Sequence, residues 1–185
     1  MLWREGTNVR FKSYSNSHIN VEIHENSSLT PWHATGFYEQ PDAARRFSPW
    51  QLLEVLKGQS QLSWVVFDDF NEITHSDEKL GGPERDTGQV NLSRFGLNDL
   101  GFVGQRYTWC NGRYGEHRTK LRLDRIVASM SWIKRFPKAS VHHFAMSISN
   151  HCLLTLFLNQ RQRRKPIRKY FSLRPCGLGR KVLGR

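Results

Sequence analysis

Two clusters of polar residues stand at the ends of apolar segments and have the side-chain types needed for chemistry on a phosphate. Asp69 and Asn71 follow the apolar run 62–67, and Ser149-Asn150-His151 precedes the apolar run 153–158. A carboxylate moves a proton or binds a metal, an amide donates to an oxygen, and an imidazole polarises a bond or takes a proton. If both runs are strands whose ends meet, these groups would surround one substrate. The alternative is a strand that ends in an acidic, solvated turn.

The patterning around these clusters predicts an α/β fold. Residues 8–25 alternate apolar and polar side chains around a turn at 15–17, as in a hairpin. A helix is predicted from Pro49, with Ser48 as its N-cap, to Gly58, and a buried strand follows at 62–67. The other predicted elements are strands at 32–38, 106–110, 141–146 and 153–158, a polar loop at 74–88, a helix at 90–100 and a connection at 132–137.

The positive charge is concentrated at the carboxyl end. Ten of the 28 Lys and Arg residues lie in residues 160–185, together with none of the 16 acidic residues, so the rest of the chain is nearly neutral. We therefore divide the chain into a domain at 1–159 and a basic tail at 160–185, which is either a disordered extension or a nucleic-acid binding segment. The residues assigned to binding in the second case are Arg161, Arg163, Arg164, Lys165, Arg168 and Lys169.

Cysteine usage and hydropathy indicate an intracellular protein. The three cysteines are odd in number and widely spaced, which fits neither a disulfide framework nor a zinc site. No apolar run approaches the roughly 20 residues of a membrane span, and the first residues do not resemble a secretion signal. We expect a nuclear or cytoplasmic location, no membrane association and no small-molecule cofactor.

An ordered set of short motifs resembles the endonuclease/exonuclease/phosphatase superfamily. Within it, the similarity is to the apurinic-type endonuclease domain of LINE-type (non-LTR) retrotransposons of plants. The motifs occur in family order over roughly residues 30–158, and the family reads Gly-Asp-Phe-Asn and Ser-Asp-His where this chain has residues 68–71 and 149–151. The matching stretches are 35–38 with Pro41, 50–53, 64–73, 78–82, 99–104, 107–111, 122–125, Trp132 with 136–137, and 149–151.

The resemblance implies a four-layer α/β sandwich, with two mixed sheets face to face and helices outside. It also implies Mg²⁺-dependent hydrolysis of a phosphodiester in DNA. Asp69 would act on the leaving group or activate the attacking water, and Asn71 would hold a phosphate oxygen. Tyr38 would contact the phosphate or assist the leaving oxygen. His151 would stabilise the phosphoryl charge and would be oriented by Asp124.

Three departures from the family pattern predict a catalytically impaired copy. The family's opening strands carry an Asn and a metal-binding Glu that have no counterpart before Tyr38, so we expect a partial sandwich that lacks those strands. Asn150 replaces the Asp of Ser-Asp-His and is a degenerate metal ligand. Asp68 replaces a Gly, where we expect a backbone cost. Since charge compensation by a metal drives this reaction, we expect weak Mg²⁺ binding and little activity.

Two other functions stay open on the sequence. The first is a non-enzymatic nucleic-acid binder that acts through the basic tail. The second is a phosphatase of the same superfamily, which the retroelement-like stretches 78–82 and 107–111 argue against.

Overall fold

The computed structural model describes residues 5–25, 29–38, 49–83 and 92–158, and its elements alternate between strands and short helices. The helices are α1 (Pro49–Gly58) and α2 (Met130–Arg135). In chain order the strands are β1 (Asn8–Ser15), β2 (His18–His24), β3 (Trp32–Tyr38), β4 (Trp64–Asp69), β5 (Lys79–Leu80), β6 (Leu97–Asp99), β7 (Val103–Gly104), β8 (Trp109–Cys110), β9 (Lys120–Leu121), β10 (Asp124–Ser129), β11 (Ser140–Phe144) and β12 (Leu153–Phe157).

The strands form one large mixed sheet and two small sheets. The large sheet has six strands in the order β1-β2-β3-β4-β10-β6. Its β3 and β4 run parallel with α1 between them in sequence, whereas its other strand pairs are antiparallel. The small sheets have the orders β12-β11-β7 and β5-β9-β8. This mixed α/β arrangement of packed sheets confirms the predicted fold class.

Two hydrophobic clusters lie on opposite faces of the large sheet. One face packs against α1 through residues such as Val66 and Leu53. The other face packs against α2 and the β12-β11-β7 sheet through residues such as Val65 and Val141. This β12-β11-β7 sheet is called the second sheet below. Because successive side chains of a strand point to opposite faces, the alternation along β4 decides which of its polar residues reach the second sheet.

The hairpin at 8–25 and the strands over 32–38, 141–146 and 153–158 are confirmed, with small shifts of boundary, and so is the helix ending at Gly58. Ser48, its predicted N-cap, lies outside the described residues. The strand predicted at 62–67 begins and ends two residues later, because Asp68 and Asp69 continue to pair with both β3 and β10. Polar side chains at the end of a strand therefore did not mark where the pairing stops.

Three local predictions differ from the structure in whole or in part. The helix predicted at 90–100 is a 3-10 turn, Leu92–Phe95, followed by β6, because Gly96 adopts a φ of +67° that no right-handed helix contains. The described part of the loop at 74–88 contains a 3-10 turn, Ser76–Glu78, and β5. The connection at 132–137 lies largely within α2, whose N-cap Ser129 accepts a hydrogen bond from the amide of Trp132.

No helix among the described residues is long and apolar enough to cross a membrane.

Candidate active site

Asp69 and Asp124 lie side by side at the end of the large sheet. They are direct partners across the antiparallel ladder of β4 and β10. Each has the strand parity of residues in the cluster beneath the second sheet, such as Val65 on β4 and Ile126 on β10. Both carboxylates therefore point toward that sheet, where they are 6% and 8% exposed. The fold thus brings together two acids that are 55 positions apart in the chain.

His151 reaches the two acids from the second sheet. It precedes β12 and is held by an isolated bridge to Trp109. Its Nδ1 lies 3.2 and 3.1 Å from the two carboxylate oxygens of Asp124, and its Nε2 lies 3.9 Å from Oδ2 of Asp69. The imidazole is about one-third exposed, whereas both carboxylates are largely buried. The site therefore opens to solvent at the histidine.

Asn71 sits in a tight turn directly after β4. Its φ is +50°, and it is the only residue other than glycine with a positive φ in the described part of the chain. Asn tolerates this left-handed conformation better than most residues. The turn allows the backbone N–H of Asn71 to donate to Oδ1 of Asp69 at 2.9 Å. The same turn thereby orients the Asp69 carboxylate and places Asn71 beside it.

The backbones of two further predicted site residues, Tyr38 and Asn150, lie next to the residues of this site. Tyr38 is the parallel-strand partner of Asp69 at the end of β3, but its side chain lies outside what the structure describes. Asn150 is exposed, and its carbonyl accepts a hydrogen bond from the amide of Cys110. The structure therefore brings Asp69, Asn71, Asp124 and His151 together and places Asn150 next to His151.

The predicted backbone cost at Asp68 is not found. Asp68 pairs with Phe37 on one side and Arg125 on the other, within regular strand, and its φ is not positive. No left-handed conformation that would require a glycine exists at this position.

Thr108 contacts both the start of β10 and the segment before β12, and no motif in the sequence predicted a role for it. Its buried hydroxyl accepts hydrogen bonds from the amides of Leu123 and Asp124, at 3.0 and 2.9 Å. Its carbonyl accepts from the amide of Cys152 at 2.7 Å. Thr108 thus fixes Cys152, the residue between His151 and β12, through its peptide group, and the start of β10 through its side chain. The matched stretch 107–111 was the available signal.

A buried ionic network lies behind the site. Arg125, which is 1% exposed, contacts both carboxylate oxygens of Glu78, at 3.2 and 3.1 Å, and also Asp99 at 3.4 Å. Arg122 joins the same two acids at 2.8 Å each. Burial disfavours the charged form of Glu78, but the hydrogen bonds and charge of Arg125 outweigh it and lower the pKa of Glu78 from 4.5 to about 2. This network ties β10 to the segment after β4.

The cluster has the composition of a site for acid–base or metal-assisted chemistry. Among the described residues, Asp69, Asp124 and His151 are the group that could hold a metal ion, since one ligand atom from each lies within 4.8 Å of the others. Two carboxylates suit a hard cation such as Mg²⁺, which completes its shell with water and substrate phosphate. The predicted nucleic-acid binding residues Arg161, Arg163, Arg164, Lys165, Arg168 and Lys169 lie outside the described residues.

Comparison with solved structures identifies the fold. The chain superimposes on the endonuclease domain of TRAS1, a telomere-specific non-LTR retrotransposon, with a TM-score of 0.62 and 15% identity, over 87% of this chain and 73% of that one. It also superimposes on a beta toxin from Staphylococcus aureus with a TM-score of 0.54 and 12% identity, over 76% of this chain and 56% of that one. Both have the endonuclease/exonuclease/phosphatase fold.

No protein-family model matches the sequence. A search of curated proteins likewise found no match.

Proposed function

We propose that the chain is a DNA endonuclease of the apurinic type carried by LINE-type retrotransposons, in a catalytically impaired copy. The observation that carries the proposal is the Asp69–Asp124–His151 cluster at the strand ends of a fold similar to the TRAS1 endonuclease domain. The motifs that resemble this family include the three residues of the cluster and Asn71. The beta toxin shares the fold, so the fold by itself does not select the substrate.

The described side chains divide the work of phosphodiester hydrolysis. Asp124 accepts a hydrogen bond from Nδ1 of His151 and so directs Nε2 toward Asp69 and the open side of the site. When both of its ring nitrogens carry a proton, His151 donates from Nε2 to a phosphate oxygen and stabilises the charge that develops on it. Asp69, oriented by the amide of Asn71, takes a proton from the attacking water or acts on the leaving oxygen. The side-chain amide of Asn71 binds a second phosphate oxygen.

The described side chains offer Mg²⁺ two carboxylate ligands, which is a small ligand set for this ion. Asp69 and Asp124 would hold the ion, and the chemistry it supplies when bound is neutralisation of charge on the phosphate. Asp124 also carries the hydrogen bond to His151, so its oxygens serve two partners. Asn150 contributes no anionic oxygen beside His151, where the resembling family has Asp. We therefore infer weak ion binding and slow cleavage.

A plasmid-nicking assay with increasing Mg²⁺ tests this function. We expect slow conversion of supercoiled to nicked DNA that needs high Mg²⁺ and disappears in Asp69→Ala and in His151→Ala. Glu54→Gln is the matched control, because it removes an acid from an exposed ion pair with Arg94 on the opposite face of the large sheet. Nicking that survives Asp69→Ala would show that another site or a contaminant acts.

The impaired state and the substrate class are tested separately. Rapid multiple-turnover nicking that still depends on Asp69 would contradict the impairment and keep the endonuclease assignment. Release of inorganic phosphate from phosphate monoesters, again dependent on Asp69 and without DNA nicking, would contradict the endonuclease assignment and favour the phosphatase alternative.

The charge distribution favours a second activity, DNA binding by the basic tail. Ten Lys and Arg residues without an acid at 160–185 would bind phosphates by counterion release, with affinity that falls steeply as salt rises. Deletion of residues 160–185 should then abolish salt-dependent DNA binding measured by fluorescence anisotropy. Unchanged binding after the deletion would assign the affinity to the domain.

A further inference from the structure

Within the described part of the chain, strand β12 lies at one edge of its small sheet and has no strand beyond it. It pairs with β11 on one side and is the terminal strand in the order β12-β11-β7, among the described residues. Edge strands are usually protected by a charge, a proline or a bulge, because an open row of backbone groups pairs with other chains. The five residues of β12, Leu-Leu-Thr-Leu-Phe, include no charge and no proline, and their register with β11 is regular.

The large sheet has an exposed apolar surface on the face that packs against the β12-β11-β7 sheet. Phe11, Tyr14 and Ile19 are 59%, 79% and 36% exposed. Phe11 pairs with Val21 and Tyr14 with Ile19, so all three share a face with Val21, which is fully buried beneath the second sheet. The apolar face of the large sheet therefore continues beyond the part that the described residues of the small sheet cover.

The chain connections place the edge of β12 on the side of this surface. β6, at one margin of the large sheet, leads within four residues to β7, at one margin of the small sheet. The two margins are therefore aligned, and the opposite margin of the small sheet, β12, faces the direction of β2 and β1. A strand added to β12 would extend the small sheet in the direction of β2 and β1, since packed sheets keep similar strand directions.

We propose that a second copy of this chain occupies this edge, through antiparallel pairing of β12 with β12 about a two-fold axis at Thr155. The sequence of β12 is nearly symmetric about its centre. On the inner face, Leu154 of each copy would oppose Leu156 of the other. On the outer face, Leu153 would oppose Phe157, and the two Thr155 side chains would meet at the axis.

This pairing brings together side chains that are matched in polarity and already partly exposed. Leu153 and Phe157 are 49% and 39% exposed. Apolar and Thr–Thr cross-strand pairs stabilise a sheet, and no like charges face each other within β12. The product is one six-stranded sheet with an isologous, closed interface. Its association should strengthen with salt, because each copy carries a net charge of +12.

Sedimentation equilibrium of the full chain tests the proposal. We expect a monomer–dimer equilibrium, and we expect Thr155→Lys to raise its dissociation constant at least about tenfold, since two like charges would meet at the axis. Gln51→Lys adds the same charge to an exposed position of α1 and should leave the dimer intact. Circular dichroism of each variant confirms that it folds.

Cross-linking tests the register without a destabilising charge. In a Cys176→Ser background, Thr155→Cys should form a covalent dimer with a short thiol-reactive cross-linker, whereas Gln51→Cys should not. A chain that is monomeric at all concentrations would overturn the proposal and leave the edge to a strand from another protein. A dimer that is insensitive to Thr155→Lys, or larger polydisperse assemblies, would overturn it equally.

Discussion

His151 and Asp124 form a hydrogen-bonded pair in which Nδ1 of the imidazole lies 3.1 and 3.2 Å from the two carboxylate oxygens. An ionised carboxylate accepts hydrogen bonds and cannot donate one. The proton of the neutral imidazole therefore resides on Nδ1, the nitrogen that contacts Asp124. Nε2 is then the atom that faces Asp69, 3.9 Å away, and the solvent. This pair joins the large sheet to the residue that precedes β12, and it determines which nitrogen of His151 faces a substrate.

The tautomer of His151 should change when this carboxylate is removed. We expect the neutral imidazole to carry its proton on Nδ1 in the wild type, and Asp124→Ala to shift the population toward the Nε2–H form. Nitrogen chemical shifts of histidine-labelled protein measure this directly. Glu116→Ala, which removes an exposed acid from the 3-10 turn Gly115–His117, is the control. An unchanged tautomer in Asp124→Ala would mean that another group fixes the ring.

Thr108→Val should destabilise the fold and loosen the start of β10. The substitution keeps the shape of the side chain but removes the oxygen that accepts from the amides of Leu123 and Asp124. Both amides would be left buried without this partner, which costs about 2–3 kcal/mol of unfolding free energy. Urea denaturation measures this cost. Thr108→Ser retains the hydroxyl, so a loss as large as that of valine would contradict the role of the oxygen.

Glu78 should make the folded state sensitive to acid. Its pKa falls to about 2 from 4.5, so the folded state binds its proton less readily than the unfolded state. The stabilisation is therefore complete above about pH 4.5 and is lost as the pH falls toward 2. Glu78→Gln leaves the buried Arg125 without its main charge partner and should cost about 3–5 kcal/mol at pH 7.

Unfolding free energies measured between pH 7 and about pH 2.5 test this effect, because the Glu78→Gln curve should be flatter in the acid range than the wild-type curve. Asp77→Asn is the matched control, since Asp77 belongs to an exposed pair with Arg106 and should contribute less than about 1 kcal/mol. Parallel wild-type and Glu78→Gln curves would contradict the assignment.

Long alternating segments were predictable because their pattern reflects burial of one face. The hairpin β1–β2 is an example, since Val21 is buried within a strand that alternates apolar and polar residues. The two-residue strands β5, β7, β8 and β9 are different, because they exist through pairing with distant segments and leave no local period. The helix predicted at 90–100 failed for a local reason, the left-handed Gly96.

The candidate site was predictable where resemblance named its residues, and not where it depends on tertiary contacts. Asp69, Asn71, Asp124 and His151 were all assigned from motifs, and the structure places them together. Glu78 stood in a stretch predicted to be a polar loop, and the fold buries it against Arg125. Thr108 lies within the matched stretch 107–111, but its role is found only from its contacts, because a hydroxyl that accepts from two backbone amides has no sequence signature.

Gly81→Ala should detach the segment after β5 from the hairpin of β8 and β9. A Cβ at Gly81 would lie 2.2 Å from the carbonyl oxygen of Arg118, and the φ of +71° disfavours a side chain in any case. Gly101→Ala shares the positive φ, at +68°, but its Cβ would meet nothing within 4 Å. The difference between the two unfolding free energies isolates the clash.

We expect Gly101→Ala to cost about 1 kcal/mol and Gly81→Ala at least about 1–2 kcal/mol more. Thermal or urea unfolding of the two variants and the wild type gives both values. Equal losses would mean that the segments separate at no cost and that the contact with Arg118 does not hold them.

Asn150→Asp should increase cation binding at the site. The substitution changes one atom of an exposed side chain in the residue before His151 and adds a negative charge there, so we expect a divalent cation held by Asp69 and Asp124 to gain a third anionic neighbour. We expect at least about a tenfold gain in Mn²⁺ or Mg²⁺ affinity, and a gain of similar size in nicking at low Mg²⁺. Paramagnetic broadening by Mn²⁺ measures the affinity independently of activity.

Asn111→Asp controls for charge in this experiment, because it adds the same charge at the turn after β8, where the Asn111 side chain already bonds to the backbone of His117 and Thr119. An equal gain in that variant would mean that the local potential, and not coordination at residue 150, attracts the ion. Asn150→Asp combined with Asp69→Ala should lose both the affinity and the nicking. If Asn150→Asp alone left the affinity for Mn²⁺ unchanged, the absence of an acid at residue 150 would not explain the impaired activity.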